Sequence, residues 1–196
     1  MMKRYLLILP LIIFLFTGCG DTLSTSTKDE SASVTADFLA GTWTAECVDN
    51  TTASTSTKTV LVFSAAADNL SSTSTNYSDL NCVTQDYVIT KTLSTLSLGT
   101  KSTTAQYQIM TKYTAVVSSI TLEPKTSNAA TSLNSTPYCG ITGWSSGAQT
   151  SIAGLTCGSI SYKAQNAVYS DLIQVNSEKT FIRLGNTTNL GRSEER

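Results

Sequence analysis

The chain has 196 residues, with 13 basic and 14 acidic side chains in near balance and no histidine. Such a charge balance without any Lys/Arg run argues against a nucleic-acid partner. The missing histidine excludes Ser-His-Asp and Cys-His catalysis, histidine metal ligation and histidine pH sensing.

Residues 1–4 (Met-Met-Lys-Arg) form a short cationic start. An apolar run over residues 5–16 follows, and then Thr17-Gly18-Cys19. That order reads as a secretory signal. At about 1.5 Å per residue the run spans roughly 18 Å, against about 30 Å of hydrocarbon, too short for a membrane-crossing helix. Leu15-Phe16-Thr17-Gly18-Cys19 resembles the lipobox of bacterial lipoproteins. The resemblance implies that residues 1–18 are a signal peptide and that the Cys19 thiol carries a diacylglyceryl group. The membrane is then a partner through the lipid anchor. Glycine rather than aspartate at position 20 implies a cell-envelope location at the outer membrane. Residues 19–36 are small, polar and aperiodic, and read as a tether.

A single domain over residues 37–190 follows, rich in serine and threonine (roughly 30% of the chain). Period-two patterns dominate it and no helix is expected. Residues 43–48 read as a first strand, and residues 58–64 as a buried strand carrying Val60-Leu61-Val62-Phe63. Residues 69–77 form a Ser/Thr strand whose low apolar content suggests an exposed or edge position. Residues 86–92 read as a further strand, with a short one over 93–98. The clearest alternation runs through Ala105, Tyr107, Ile109, Thr111, Tyr113, Ala115 and Val117, then shifts phase to Ile120 and Leu122. A one-residue phase change predicts a bulge near Ser118-Ser119. Pro124 ends this element, and residues up to Pro137 read as loop.

Residues 138–163 are long for a loop, a length that a disulfide staple or a binding role would explain. Residues 168–175 and 180–184 predict a hairpin across the polar turn 176–179. Residues 191–196 read as a charged tail, or as the end of a chain lacking its closing strand. Seven or eight strands with local connections predict an all-β fold, an antiparallel barrel with a β-sandwich as the alternative.

Five cysteines fit this plan: Cys19 for lipid and four for two disulfides in an oxidising space. Of three connectivities, Cys47–Cys82 and Cys139–Cys157 are favoured, because each pair is close in sequence and lies at strand edges or in loops. No C-x-x-C spacing occurs, so no metal site and no cofactor is expected.

Phe38-Leu39-Ala40-Gly41-Thr42-Trp43 resembles the G-x-W opening of lipocalin-like barrels. The wider layout, with Tyr77-Ser78-Asp79 before Cys82 and Tyr138-Cys139-Gly140 before Trp144, resembles small bacterial lipoproteins of that kind. The resemblance implies that Trp43 closes one end of the barrel against a late arginine, Arg183, with Arg192 as the fallback.

Catalytic motifs are lacking. Gly143-Trp144-Ser145-Ser146-Gly147 does not centre a serine between glycines two residues away, as a nucleophile turn requires. Glu46, Asp49, Asp68, Asp79, Asp86, Glu123, Asp171 and Glu178 read as solvated acids, Glu46 standing out for its place within a strand. Tyr87, Tyr107, Tyr113 and Tyr169 read as barrel core in preference to cavity lining. The expectation is a non-enzymatic envelope lipoprotein whose barrel either packs solid or takes a small apolar or amphipathic molecule. The alternative is a surface interaction or adhesion module, and the sequence specifies no protein partner.

Overall fold

The computed structural model describes residues 34–103, 109–175, 180–185 and 190–195. Cys19 and the segments expected to be a signal peptide and a tether, together with Tyr107, Glu178 and the turn at 176–179, lie outside the described residues.

A single helical turn, α1 (Ala36–Leu39), leads into β1 (Gly41–Thr44). Gly41 makes the corner at φ 120°, a conformation that a Cβ would strain. β1 and β2 (Val48–Asn50) both pair with β3 (Thr55–Phe63), so the expected first strand exists but is interrupted. Thr44 faces Val60 while Val48 faces Thr57, which leaves one extra residue on the β1–β2 side. That extra residue is a bulge, and it puts Cys47 beside the connection that carries its disulfide partner Cys82.

The sheet continues through β4 (Leu70–Tyr77), β5 (Gln85–Thr103) and β6 (Ile109–Pro124). After β6 come helix α2 (Ser127–Ser135), a 3₁₀ turn (Tyr138–Gly140) and three short strands. These are β7 (Thr150–Ser151), β8 (Thr156–Cys157) and β9 (Ile160–Ser161). β10 (Val168–Val175), β11 (Phe181–Gly185) and β12 (Leu190–Glu195) complete the elements of the described residues. Hydrogen bonding runs β1–β3–β4–β5–β6–β10–β11–β12 and returns to β1, antiparallel throughout. The last joint is the single pair Thr44–Glu195, so the barrel is nearly closed. One sheet curls on itself, and the sandwich alternative falls.

Several expectations change. The Ser/Thr strand β4 is central, not an edge: all eight of its residues pair with β3 and with β5. The two strands expected over 86–98 are one long strand, kinked by register shifts at Thr92/Leu93 and between Ser94 and Ser97. The bulge near Ser118 is present, because Thr92 faces Ser119 while Leu93 faces Val117. Residues 191–195, expected as a charged tail or the end of a chain lacking its closing strand, belong to β12, which pairs with β11 and, at Glu195, with β1.

Helix α2 stands where a loop was expected. Thr126 caps it, its Oγ1 accepting from the Ala129 amide at 3.0 Å, and Ala129, Ala130 and Leu133 bury one face. Only three apolar residues are needed, too few to show a helical period in the sequence.

Inward positions stack in rungs across β3, β4, β5 and β6. Phe63, Leu70, Leu93 and Val117 form the lowest and are buried. Trp43 and Leu61 sit one rung higher, both fully buried, and Ile173, Val175 and Ile182 join from β10 and β11. The lower half of the barrel is therefore solid. The upper half is not.

Candidate functional site

Above the packed rungs the inward residues of β4 become small and polar. Leu61, Ser72, Lys91 and Ile120 share one rung, and Thr59, Ser74, Ile89 and Leu122 the next. Thr57, Asn76, Tyr87 and Pro124 form the rim. Two serines and an asparagine cannot fill the width that leucines fill below, and a barrel interior is occupied only as far as its side chains reach. A cleft of about 480 Å³ results, within the range of small-molecule sites.

The excursion after α2 forms the opposite wall. Tyr138, Ile160, Ser161, Tyr162 and Lys163 line the cleft from this side. Two devices hold it in place. The Cys139–Cys157 disulfide ties the 3₁₀ turn to the β8–β9 hairpin. Asn134 in α2 accepts from the Gly143 and Trp144 amides at 2.8 and 2.9 Å and donates to the Trp144 carbonyl at 2.9 Å. The Tyr87 and Tyr138 rings meet across the gap at 6.4 Å, tilted by 46°, a separation within the favourable range for aromatic pairs. The staple expected of this segment is present as the Cys139–Cys157 disulfide.

A polar cluster begins at the cleft lining with Lys91 and Tyr169. The Lys91 ammonium sits 4.2 Å above the centre of the Tyr169 ring, a cation–π geometry. The Tyr169 hydroxyl donates to Asp171 Oδ2 at 3.0 Å, and the Leu172 amide donates to Oδ1 at 2.9 Å. Tyr113 lies beside Tyr169 with ring centres 6.1 Å apart. Its buried hydroxyl meets no partner in hydrogen-bonding geometry among the described residues. Burial raises the Tyr87, Tyr113 and Tyr169 phenols above their ordinary range, so all three stay neutral donors at physiological pH. Burial also raises Asp171, against the opposing pull of the Leu172 amide, the Tyr169 hydroxyl and Lys91.

That shift has a definite sign. A carboxyl raised by folding keeps its proton after the unfolded chain has released it, so its contribution to stability declines as pH rises from about 4. Asp171→Asn should therefore raise the thermal midpoint at pH 7, with the gain vanishing below about pH 4. Thermal melts of both proteins across pH 3–8 check this, and equal midpoints at pH 7 would count against it.

The other sequence candidates are dispersed. Both favoured disulfides form, Cys47–Cys82 and Cys139–Cys157. Trp43 is buried in the interior, its Nε1 donating to the Leu39 carbonyl at 2.8 Å. Arg183 is elsewhere. It faces Gln174 and alternates with the core residues Ile182 and Leu184, so strand alternation puts it on the sheet face opposite that of Trp43. Arg192 belongs to β12, where it pairs with Leu184.

Among the acids, Asp79 organises a turn. Its carboxylate accepts the Asn81, Val83 and Thr84 amides, which hold its pKa down to about 2. Asp68 is bound by Ser64 and Asn69, and Glu123 by Lys125. Glu46 and Asp49 are exposed. No group of three metal-ligating side chains occurs among the described residues.

Of the tyrosines expected to be core, Tyr113 is, at 2% exposure, whereas Tyr87 and Tyr169 line the cleft. Ser72, Ser74, Asn76, Lys91, Tyr138 and Tyr162 were not anticipated as site residues. The available signal was the polar period-two run on β4, which is equally consistent with a solvent-facing strand. No family model matches the chain, and no curated protein matches it.

Proposed function

We propose that this protein is a non-enzymatic, lipid-anchored envelope protein whose barrel holds a small amphipathic molecule in the cleft between β4, β5 and the stapled excursion. The cleft itself carries the reading. Its lining combines the hydroxyl and amide groups of Thr57, Ser72, Ser74 and Asn76 with tyrosine rings and isoleucines, and a site of that form takes a ligand with both polar and apolar parts. The signal and Cys19 support the anchor and the location, since two acyl chains on one cysteine give stable membrane attachment.

Native mass spectrometry of the full chain, made with its own signal and extracted in detergent, tests the function. A non-covalent adduct should survive in the folded protein, vanish on unfolding, and be absent from Ile89→Trp, which fills the cleft. An adduct unchanged in Ile89→Trp, or none at all, would sink the proposal. Cys19→Ser should release the protein into the soluble fraction.

One observation favours a second reading, a surface interaction module. On the outward face, Thr73, Thr90 and Thr121 align in one rung across β4, β5 and β6. An uncharged hydroxyl face of this kind suits contact with another polar surface. Protease added to intact cells should then cleave the protein, and full protection would exclude this reading.

A further inference from the structure

We infer that the occupant of the cleft is a saccharide, specifically one that carries an acid group. This rests on the reading of the cleft as a ligand site and narrows it from amphipathic molecules in general to polyhydroxylated rings.

The polar wall is the first ground. Ser72, Ser74 and Asn76 are successive inward positions of β4, about 6.8 Å apart along the strand. They present hydrogen-bonding groups at regular steps to whatever fills the space. Thr57 Oγ1 donates to Asn76 Oδ1 at 3.2 Å, which leaves the Asn76 amide nitrogen to donate elsewhere. A hydrocarbon chain laid against this wall would strip water from these groups and return nothing, so a purely apolar occupant is disfavoured. A row of ring hydroxyls both donates and accepts, and matches the wall.

The aromatic rings on the two sides of the gap are the second ground. Tyr87 and Tyr138 meet at 46°, with Tyr162 close to both, so the cleft offers flat π faces rather than a narrow aliphatic tunnel. The C–H face of a pyranose covers such a ring well, and its hydroxyls project at the edges toward the opposite wall. The same rings contribute neutral phenol donors, because burial keeps them protonated.

Charge sets the acid group. The described lining includes two lysines, Lys91 near the floor and Lys163 on the excursion, and no carboxylate. Asp171 lies behind Tyr169 rather than on the lining. Lys91 is attracted to the Asp171 carboxylate, so the positive charge that favours an anion comes from Lys163, exposed on the excursion.

Isothermal titration of the detergent-solubilised full chain with three probes tests the inference: a galacturonic acid trimer, an N-acetylglucosamine trimer and decanoate. The acidic trimer should bind at least tenfold tighter than decanoate, which shares its charge but lacks its hydroxyls, and several-fold tighter than the neutral trimer. Tyr87→Ala and the pair Ser72→Val with Ser74→Val should each weaken the acidic trimer tenfold or more, with circular dichroism unchanged. Lys163→Gln should erase the difference between the two trimers. Binding of decanoate with neither trimer overturns the saccharide inference and leaves the amphipathic ligand site standing. Equal binding of the two trimers to the unmodified protein overturns the role given to Lys163. Silence from all three probes, together with no adduct in native mass spectrometry, removes both.

Discussion

Trp43→Ala should cost about 3–5 kcal/mol of folding stability, the range for emptying a buried aromatic site. Trp43 is fully buried, packs within the cluster that includes Leu61 and Ile182, and anchors α1 through its bond to the Leu39 carbonyl. Its truncation opens the packed half of the barrel, among Leu61, Ile173 and Ile182. The backbone of β1 is held to β3 by four residue pairs, which limits collapse. Trp43→Phe keeps much of the ring volume and loses the donor, so a smaller loss of about 1–2 kcal/mol is expected. Urea unfolding of the three proteins measures both values. A loss below about 1 kcal/mol for alanine would mean that the barrel does not depend on this residue.

The second large effect belongs to the disulfide pairs. By chain entropy, removing Cys139–Cys157 (separation 18) should cost about 3 kcal/mol and removing Cys47–Cys82 (separation 35) nearly 4 kcal/mol. Their structural consequences differ. Cys47–Cys82 joins the β1–β2 bulge to the turn organised by Asp79, away from the cleft lining. Cys139–Cys157 holds the segment that carries Tyr138, Ile160 and Tyr162 over the cleft. Paired alanine variants should therefore lose similar stability in urea, while only Cys139→Ala with Cys157→Ala weakens ligand retention in native mass spectrometry. If both pairs, or neither, alter retention, the excursion is not the wall of the site. The remaining Asn134 bonds to Gly143 and Trp144 keep part of the excursion in place, so the loss of retention should be partial.

Much of the barrel was legible because its strongest strands bury one face and expose the other. Thr111, Tyr113, Ala115 and Val117 announce an inward row, and the shift to Ile120 and Leu122 locates a bulge that the β5–β6 register confirms. The disulfide pairs were legible from spacing alone. β4 was misplaced for a physical reason: Leu-Ser-Ser-Thr-Ser-Thr-Asn-Tyr is polar on both faces, so alternation carries no sign of which face is inward. Helix α2 escaped notice because its Ser/Thr/Asn composition resembles a loop, and its helicity comes from the Thr126 cap and the burial of three side chains.

The chain's chemistry shows the same division. Sequence by itself determined the four staple cysteines and the absence of histidine, because these depend on residue identity and local spacing. It also determined an all-β antiparallel fold, because period-two patterning is a local property of each strand. Only the tertiary structure decided that β12 closes the ring, that Arg183 and Trp43 face opposite sides, and that the serines of β4 look inward at four tyrosines. Those facts depend on register between strands far apart in the chain. A one-residue difference in register exchanges inside for outside without changing any local pattern.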